Sequence, residues 1–168
     1  MNDPNLVRSA SEVFALLVAD GVPHRADPEL GQALIPTRLG DEEALLTLRW
    51  GSVEGMLQLF QDMGEAVSPE AMPAVEEAIS RLNHAMPVPG FGVNPGTSRL
   101  YYRLTVPLQQ GVSLPAPALR ALFSAAVKNA SDFLPVLRAV SRGELPPAEV
   151  LVQAAALIAS RDPSVPTA

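Results

Sequence analysis

The sequence predicts an α+β protein in which an antiparallel sheet of about five strands packs against helices. Two observations support this prediction. Segments that alternate with a period of two come in adjacent pairs joined by short turns, as antiparallel strands do. Segments with apolar residues three and four positions apart lie before, between and after these pairs, so the strands come in pairs and do not alternate singly with helices as in a parallel α/β fold.

The start of the chain predicts a helix and then an irregular stretch. Asp3 and Pro4 form a helix-start signal, an acidic N-cap followed by a proline at the first helical position. Apolar residues then recur at helical spacing until Asp20–Gly21, where we expect the helix to end. Residues 22–35 contain two prolines and a glycine, which predicts a short edge strand or a loop.

Two strands are predicted next. Leu46, Leu48 and Trp50 alternate with other side chains, so we expect these three in the core. A turn at Gly51–Gly55 leads to a second strand over Met56–Asp62, which carries apolar side chains on both faces. A helix or another chain must therefore cover the second face.

A helix and a hairpin follow. Ser68-Pro69-Glu70 predicts the helix start, and the apolar stripe of this helix ends at Met86. Phe91–Val93 and Arg99–Pro107 predict the two arms of a hairpin. Asn94-Pro95-Gly96 joins them and suits a tight turn, with proline and then glycine at its centre.

The last third of the chain predicts helices. One covers Ser113–Arg142, where Pro135 should bend or divide it and Gly143 should stop it. Another runs over Pro146–Ser160.

The length of 168 residues suits one domain. We expect a single domain over residues 1–161 and a disordered tail over residues 162–168.

Composition excludes several classes of function. The chain has no cysteine, which rules out a disulfide scaffold, a zinc–thiolate site and a cysteine nucleophile. Its two histidines, His24 and His84, have no partner at metal-ligand spacing, so we predict no metal and no cofactor. No nucleophile-elbow or phosphate-loop motif is found in the sequence, so we expect a protein that is not an enzyme. Without a signal peptide or a long apolar run, we expect a cytoplasmic location and no membrane partner.

Charge is unevenly distributed along the chain. The net charge of −6 argues against direct nucleic-acid binding. Residues up to His84 include fourteen acidic and five basic side chains, and the remainder includes four and seven. No acidic residue occurs between Glu77 and Asp132. Such a division can steer a partner or a second copy, or it reflects chance clustering on a solvated surface.

The second arm of the hairpin carries the candidate partner-binding residues. By strand alternation Arg99, Tyr101 and Arg103 emerge on one face, opposite Leu100, Tyr102 and Leu104. Arginine and tyrosine are enriched at binding hot spots, which favours a protein partner. The alternatives are an ordinary solvent face with a cation–π contact and, less favoured because the chain is acidic, a surface that stacks nucleic-acid bases.

Three stretches of sequence resemble a known family. They are Ala78-Ile-Ser-Arg-Leu-Asn-His84, Pro89-Gly-Phe-Gly-Val-Asn94 and Leu100-Tyr-Tyr-Arg-Leu-Thr-Val-Pro107. Together with the order of elements they resemble the YbjN-type domain of bacteria, over about Leu6 to Leu151. That family is similar in fold to type III secretion chaperones, which implies a homodimer that binds a protein client and has no catalytic site.

The resemblance also implies a cellular setting. The family is associated with protein–protein interaction in stress or regulatory roles. A Deinococcus member of the group is suggested to partner a single-stranded-DNA-binding protein of the DNA-damage response, which implies such a protein as a client.

Two functional hypotheses result. The leading one is a non-enzymatic interaction module in which two copies associate through an apolar surface, and each presents a strand edge or groove to a client. The alternative is a small-ligand-sensing regulatory domain with a pocket between the sheet and the long helix.

Overall fold

The computed structural model describes residues 6–52, 55–108 and 113–161. These ranges contain eight strands and four helices. The strands are Leu6–Val7 (β1), Arg25–Asp27 (β2), Gln32–Leu39 (β3), Glu42–Ser52 (β4), Met56–Ala66 (β5), Phe91–Val93 (β6), Arg99–Pro107 (β7) and Leu114–Pro115 (β8). The helices are Ala10–Ala19 (α1), Met72–Ala85 (α2), Ala116–Ser141 (α3) and Val150–Arg161 (α4), with a short 3-10 turn at Pro147–Glu149 before α4.

The strands form one large and one small antiparallel sheet. The large sheet has six strands in the order β2-β3-β4-β5-β7-β6, and β1 pairs with β8 in the small one. The predicted α+β class is therefore confirmed, with one strand more than expected in the main sheet. The extra strand arises because residues 22–35 hold the whole of β2 and the start of β3.

Contacts divide the chain into two compact units, each made of two segments. The first unit comprises the residues up to Asp62 together with Arg103–Val127, and the second comprises Met63–Tyr102 together with the residues from Lys128 onward. The expectation of a single domain over residues 1–161 stays a prediction.

The first unit buries one face of β3, β4 and β5 together with helical side chains. Strand register aligns Ala33 with Leu48 and Leu48 with Leu59, so that the inner side chains form rows across the sheet. Buried apolar side chains of this unit are Val7, Val13, Leu17, Ala33, Ile35, Leu39, Leu46, Leu48, Leu57, Leu59, Leu104, Ala116, Leu119 and Ala126. Trp50 continues the inner row of β4 opposite the buried Leu57, as expected, but it is only half-buried beside a register shift between Trp50 and Ser52.

One polar side chain lies within this core. Gln61 is fully buried, and its amide nitrogen donates to Thr37 Oγ1 at 3.0 Å and to the carbonyl oxygens of Leu45 and Asp62 at 3.3 and 2.8 Å. Its amide oxygen is 3.2 Å from Thr37 Oγ1. A buried carboxamide with these partners avoids the cost of an unsatisfied polar group.

The second unit packs helices against β6 and the part of β7 that ends at Tyr102. The apolar stripe of α2 faces inward as predicted, and α2 contacts β6 and α4. Buried apolar side chains of this unit are Met63, Val67, Val75, Ala78, Ile79, Leu82, Phe91, Leu100, Tyr102, Ala130, Phe133, Leu134, Val136, Leu137, Val140, Val150 and Ala154.

The starts of two helices differ from the prediction. Leu6 and Val7 form β1, and α1 is capped by Ser9, whose Oγ accepts from the backbone N–H of Glu12 at 3.3 Å. The predicted signal at Asp3 and Pro4 lies outside the described residues. The predicted end of this helix is confirmed, because Asp20 is its C-cap and Gly21 takes a positive φ of 66°.

The second helix begins later than expected. Ser68 Oγ accepts from the backbone N–H of Ala71 in a turn, and α2 starts at Met72 with Pro73 in its first turn. Either proline of this segment suits a first helical turn, and Pro73 takes that position.

The long helix α3 is continuous. It starts at Ala116, after the two residues of β8, and Pro135 lies inside it without dividing it. Pro135 is exposed, so water can hydrogen-bond the carbonyl that a proline leaves unpaired. Gly143 follows the helix with a φ of 71°, as the predicted stop requires. The predicted tail over residues 162–168 lies outside the described residues.

Candidate functional site

Strand β7 places its side chains on the two faces that the alternation predicts. Leu100, Tyr102 and Leu104 are buried, whereas Arg99 and Arg103 are exposed. Tyr101 lies half-buried between the two arginines in sequence. We call Arg99, Tyr101 and Arg103 the arginine stripe. Their role in partner binding stays a prediction.

The tyrosine of the stripe covers a glycine on the neighbouring strand. Gly92 is directly opposite Tyr101 in the hairpin register. A methyl group at Gly92 would lie 2.4 Å from Tyr101 Oη and 2.5 Å from Cζ, so the tyrosine ring lies against the bare backbone there. Glycine in a strand often marks such a close approach.

The opposite face of β7 is anchored by Tyr102. Its ring packs against Phe91 with centroids 4.8 Å apart, and Phe91 in turn meets Phe133 edge-on at 5.4 Å. The Tyr102 hydroxyl donates to the carbonyl oxygen of Val88 at 2.9 Å and accepts from Asn129 Nδ2 at 2.8 Å. Burial raises the pKa of this hydroxyl, against a smaller opposite effect of the Asn129 hydrogen bond.

The edge strand of the hairpin is held by a helical asparagine. Asn83 Nδ2 donates to the carbonyl oxygen of Phe91 at 2.9 Å, and Asn83 Oδ1 accepts from the backbone N–H groups of Phe91 and Gly90, both at 3.0 Å. The carboxamide thus pairs with β6 as a peptide group of a further strand would.

The first unit contains an apolar cavity between α1, β4 and α3. It has a volume of about 230 Å³. Its lining residues are Leu16, Leu17, Asp20, Val22, Leu48, Leu119, Arg120, Phe123 and Ser124.

The cavity carries an ion pair among these apolar side chains. Arg120 Nε and Nη2 donate to the two carboxylate oxygens of Asp20 at 2.7 and 2.8 Å. Both side chains reach solvent, with 49% of Arg120 and 27% of Asp20 exposed, so the pair lies at the mouth. The hydrogen bond from Arg120 lowers the pKa of Asp20, and Asp20 raises the pKa of Arg120 in return.

A comparison with protein-family profiles identifies the chain. Residues 9–139 match the YbjN family, which is described as "Putative bacterial sensory transduction regulator". The chain belongs to the YbjN family. No curated protein and no solved structure matches it.

The match covers both surfaces described above. The YbjN region includes α1, the six-stranded sheet, α2 and nearly all of α3, and therefore both the arginine stripe and the cavity. Helix α4 begins at Val150, beyond the end of the YbjN match. The family description names a regulator rather than an enzyme.

The histidines of this YbjN chain lie apart from each other in the fold. His24 Nδ1 is 2.9 Å from the carbonyl oxygen of Val22, and its ring stacks on Phe14 at 6.4 Å. His84 is exposed in the last turn of α2. Across the described ranges, no group of three or more acidic or histidine side chains is arranged to hold a metal ion. Nor does any described helix have the length and hydropathy to cross a bilayer.

Sequence reasoning missed two of these features. Asn83 lies in one of the stretches that resembles YbjN, but nothing in the sequence reveals that its side chain binds β6. Asp20 and Arg120 are 100 positions apart, and each has an ordinary local explanation, as a helix end and as a helix surface residue. Only the folded structure brings them together.

Proposed function

We propose that this YbjN chain is a non-enzymatic regulatory module that binds an acidic protein client through the arginine stripe. The observation that supports this proposal is the division of β7. Its inner side chains are fixed in the core, while two exposed arginines flank a half-buried tyrosine on the other face.

Preorganisation of the stripe would favour binding. Tyr101 rests against Gly92, and a side chain held in this way loses less conformational entropy when a partner covers it. The guanidinium groups of Arg99 and Arg103 match the geometry of client carboxylates. The sequence has no acidic residue between Glu77 and Asp132, so this stretch carries no negative side chain that would repel an acidic client.

A calorimetric titration tests the client surface. The probe is a purified bacterial single-stranded-DNA-binding protein, which is the client that we propose. The double variant Arg99→Ser/Arg103→Ser should bind at least about tenfold more weakly, since charge-assisted hydrogen bonds are lost. Arg81→Ser is the matched control, because Arg81 is an exposed arginine on α2 that pairs with Glu77.

Three results would contradict the proposal. Unchanged affinity of the double variant rejects the stripe, provided that its thermal unfolding matches that of the unmodified chain. Absence of binding by the unmodified chain rejects this client. Tight binding of a single-stranded oligonucleotide without the client would replace the protein-binding function with nucleic-acid binding.

We further propose that two copies associate through α4. Leu151, Val152 and Ile158 of this helix are 39%, 74% and 37% exposed. At 100° per residue, these side chains and the alanines at 155, 156 and 159 share a broad face away from the buried Val150 and Ala154. A helix that is apolar on nearly all sides requires a covering surface.

A second copy is the partner that suits this face. No charged residue occurs between Glu149 and Arg161, so two identical faces can meet without charge repulsion. The helix is about 18 Å long. One face of it covers less than the roughly 800 Å² per partner of a standard interface, so we expect a dimer that dissociates on dilution in the micromolar range.

Light scattering at several concentrations tests the dimer. Val152→Glu should leave a monomer at all concentrations, whereas Gln153→Glu should leave the dimer intact. Gln153 receives the same charge on the same helix, but it lies on the narrow polar strip with Ser160. A mass near 17.8 kDa for the unmodified chain across micromolar concentrations would exclude the dimer.

We propose the cytoplasm as the site of action and a stress or DNA-damage response as the setting. We also propose a type III secretion chaperone-like arrangement. The family description supports a regulatory role for the chain.

A second candidate function is small-ligand sensing. The observation that favours it is the cavity beside Asp20 and Arg120, which lies between the sheet and α3. Ligand binding at this place would suit a sensory regulator.

A further inference from the structure

The cavity in the first unit combines an apolar interior with balanced charge at its mouth. Six of its lining side chains are hydrocarbon, including Leu48 of the sheet and Phe123 of α3. Its volume of about 230 Å³ is below the roughly 300–1,000 Å³ of pockets for drug-sized ligands, so it suits a small molecule rather than a peptide.

The ion pair retains capacity for further hydrogen bonds. An arginine has five N–H donors, and Arg120 uses two of them on Asp20. A carboxylate has about four lone-pair positions, and Arg120 occupies two of those on Asp20. Both groups can therefore bind a ligand while their own pairing persists.

Charge balance selects the class of ligand. A simple carboxylate would gain Arg120 but would bring a second negative charge close to Asp20, and a simple amine would have the converse problem. A zwitterion places each of its charges on the opposite member of the pair. Its apolar part can then replace water in the cavity, which is favourable.

We propose that this cavity binds a free α-amino acid with a branched or aromatic apolar side chain. The ammonium group binds Asp20, the carboxylate binds Arg120, and the side chain lies between Leu16, Val22 and Phe123, the apolar lining residues that are only half-buried. This inference rests on the ligand-sensing function and names its ligand class.

Calorimetry and thermal unfolding of the whole chain test the ligand class. The probes are L-leucine and L-phenylalanine, with glycine, leucinamide and 4-methylpentanoate as analogues that lack the side chain, the carboxylate and the ammonium group. At a concentration of 100 times Kd, leucine or phenylalanine should raise Tm by about 5–10 °C. Each analogue should bind at least about tenfold more weakly.

Variants test the two charged residues. Arg120→Gln and Asp20→Asn should each weaken binding of the amino acid by about tenfold to a hundredfold, the loss of a charge-assisted hydrogen bond. Arg138→Gln is the control, because Arg138 forms an ion pair with Glu65 at 2.7 Å in the second unit. Both cavity residues are solvent-exposed, so their variants should keep the unmodified unfolding temperature within a few degrees.

Each contrary result has a distinct meaning. If 4-methylpentanoate binds as tightly as leucine, Asp20 has no role and the zwitterion proposal is wrong. If both amino acids fail at millimolar concentration but a metabolite of another class raises Tm, the sensing function stands and the ligand class falls. If nothing in a broad metabolite panel binds, both the ligand-sensing function and the amino-acid ligand class are wrong.

Discussion

The ring of Tyr101 covers Gly92, its cross-strand neighbour in the hairpin. A Cβ atom at Gly92 would be 2.4 Å from Tyr101 Oη, far inside normal contact distance. The glycine is therefore required by a neighbouring side chain and not by a turn. The same contact limits where the tyrosine of the arginine stripe can lie.

Substituting Gly92 should reveal this contact as an energetic coupling. We expect Gly92→Ala to destabilise the protein by about 1–2 kcal/mol, because the tyrosine ring must leave its position. In a Tyr101→Ala background the same substitution should cost little. Urea unfolding of the four proteins of this double-mutant cycle measures the coupling. An equal cost in both backgrounds would show that the ring does not constrain Gly92.

Removal of the Asn83 carboxamide should weaken the second unit. Asn83→Ala leaves two backbone N–H groups and one carbonyl of Gly90 and Phe91 without their partner, so we expect a loss of about 2–3 kcal/mol. The stability of Asn83→Asp should lie between those of Asn83→Ala and the unmodified protein, because a carboxylate still accepts from the N–H groups but cannot donate.

The neighbouring histidine provides the control for Asn83. His84→Ala changes an exposed side chain on the same helix and should stay within about 0.5 kcal/mol of the unmodified protein in urea unfolding. A similar effect of Asn83→Ala and His84→Ala would contradict the role assigned to the carboxamide.

Tyr102 should make stability fall at alkaline pH. Burial raises its pKa above the value of about 10 that a tyrosine has in an unfolded chain. The folded state therefore binds the proton more tightly. The resulting stability is complete below pH about 10 and is lost as pH rises through the folded pKa.

Urea unfolding at pH 8 and pH 11 tests the tyrosine. Tyr102→Phe should lower stability at pH 8 by about 1–2 kcal/mol, because Asn129 loses its acceptor. It should also reduce the further loss between the two pH values. If the alkaline loss is the same in both proteins, ionisation of Tyr102 does not contribute to it.

The Asp20–Arg120 pair should make the stability of the protein fall at acidic pH. Arg120 lowers the pKa of Asp20, so the stabilisation is present above the unfolded value of about 3.9 and is lost as pH falls through the folded pKa. The difference in thermal midpoint between the unmodified protein and Arg120→Gln should therefore be larger at pH 7 than at pH 2. A difference independent of pH would exclude this linkage.

The sequence predicts β7 well because the strand has one strongly apolar face. Leu100, Tyr102 and Leu104 are all buried, and the two arginines between and before them are exposed, as a period of two requires. Periodicity of this kind depends on burial, which is a property of the whole fold. The sequence therefore predicts a strand well wherever one face of the strand is buried and the other is exposed.

Local start signals were less reliable because they compete. Both Asp3-Pro4 and Ser9 with Glu12 three residues later can begin the first helix, and Ser9 takes that role.

Pro36 makes strand β3 difficult to predict from the sequence, because proline is uncommon inside strands. Strand β2 pairs with β3 only as far as Leu34, so no strand flanks Pro36 on that side and the proline is tolerated.

The candidate ligand site could not be predicted from sequence. Its ion pair joins residues 100 positions apart, and its apolar lining comes from two helices, one strand and the loop that carries Val22. Each apolar lining residue also has the appearance of an ordinary core residue. A cavity is a gap in the packing between several elements, so the sequence of any one element cannot predict it.

Both ends of the six-stranded sheet are short. Strands β2 and β6 have three residues each, and the carboxamide of Asn83 already occupies the main-chain N–H and C=O of Phe91. These short strands cover only part of their neighbours, because β2 pairs with Gln32–Leu34 of β3 and β6 pairs with Leu100–Tyr102 of β7. A foreign strand that adds to the sheet would therefore have to pair along the remainder of β3 or β7, and in β3 it would meet Pro36, which has no N–H to donate.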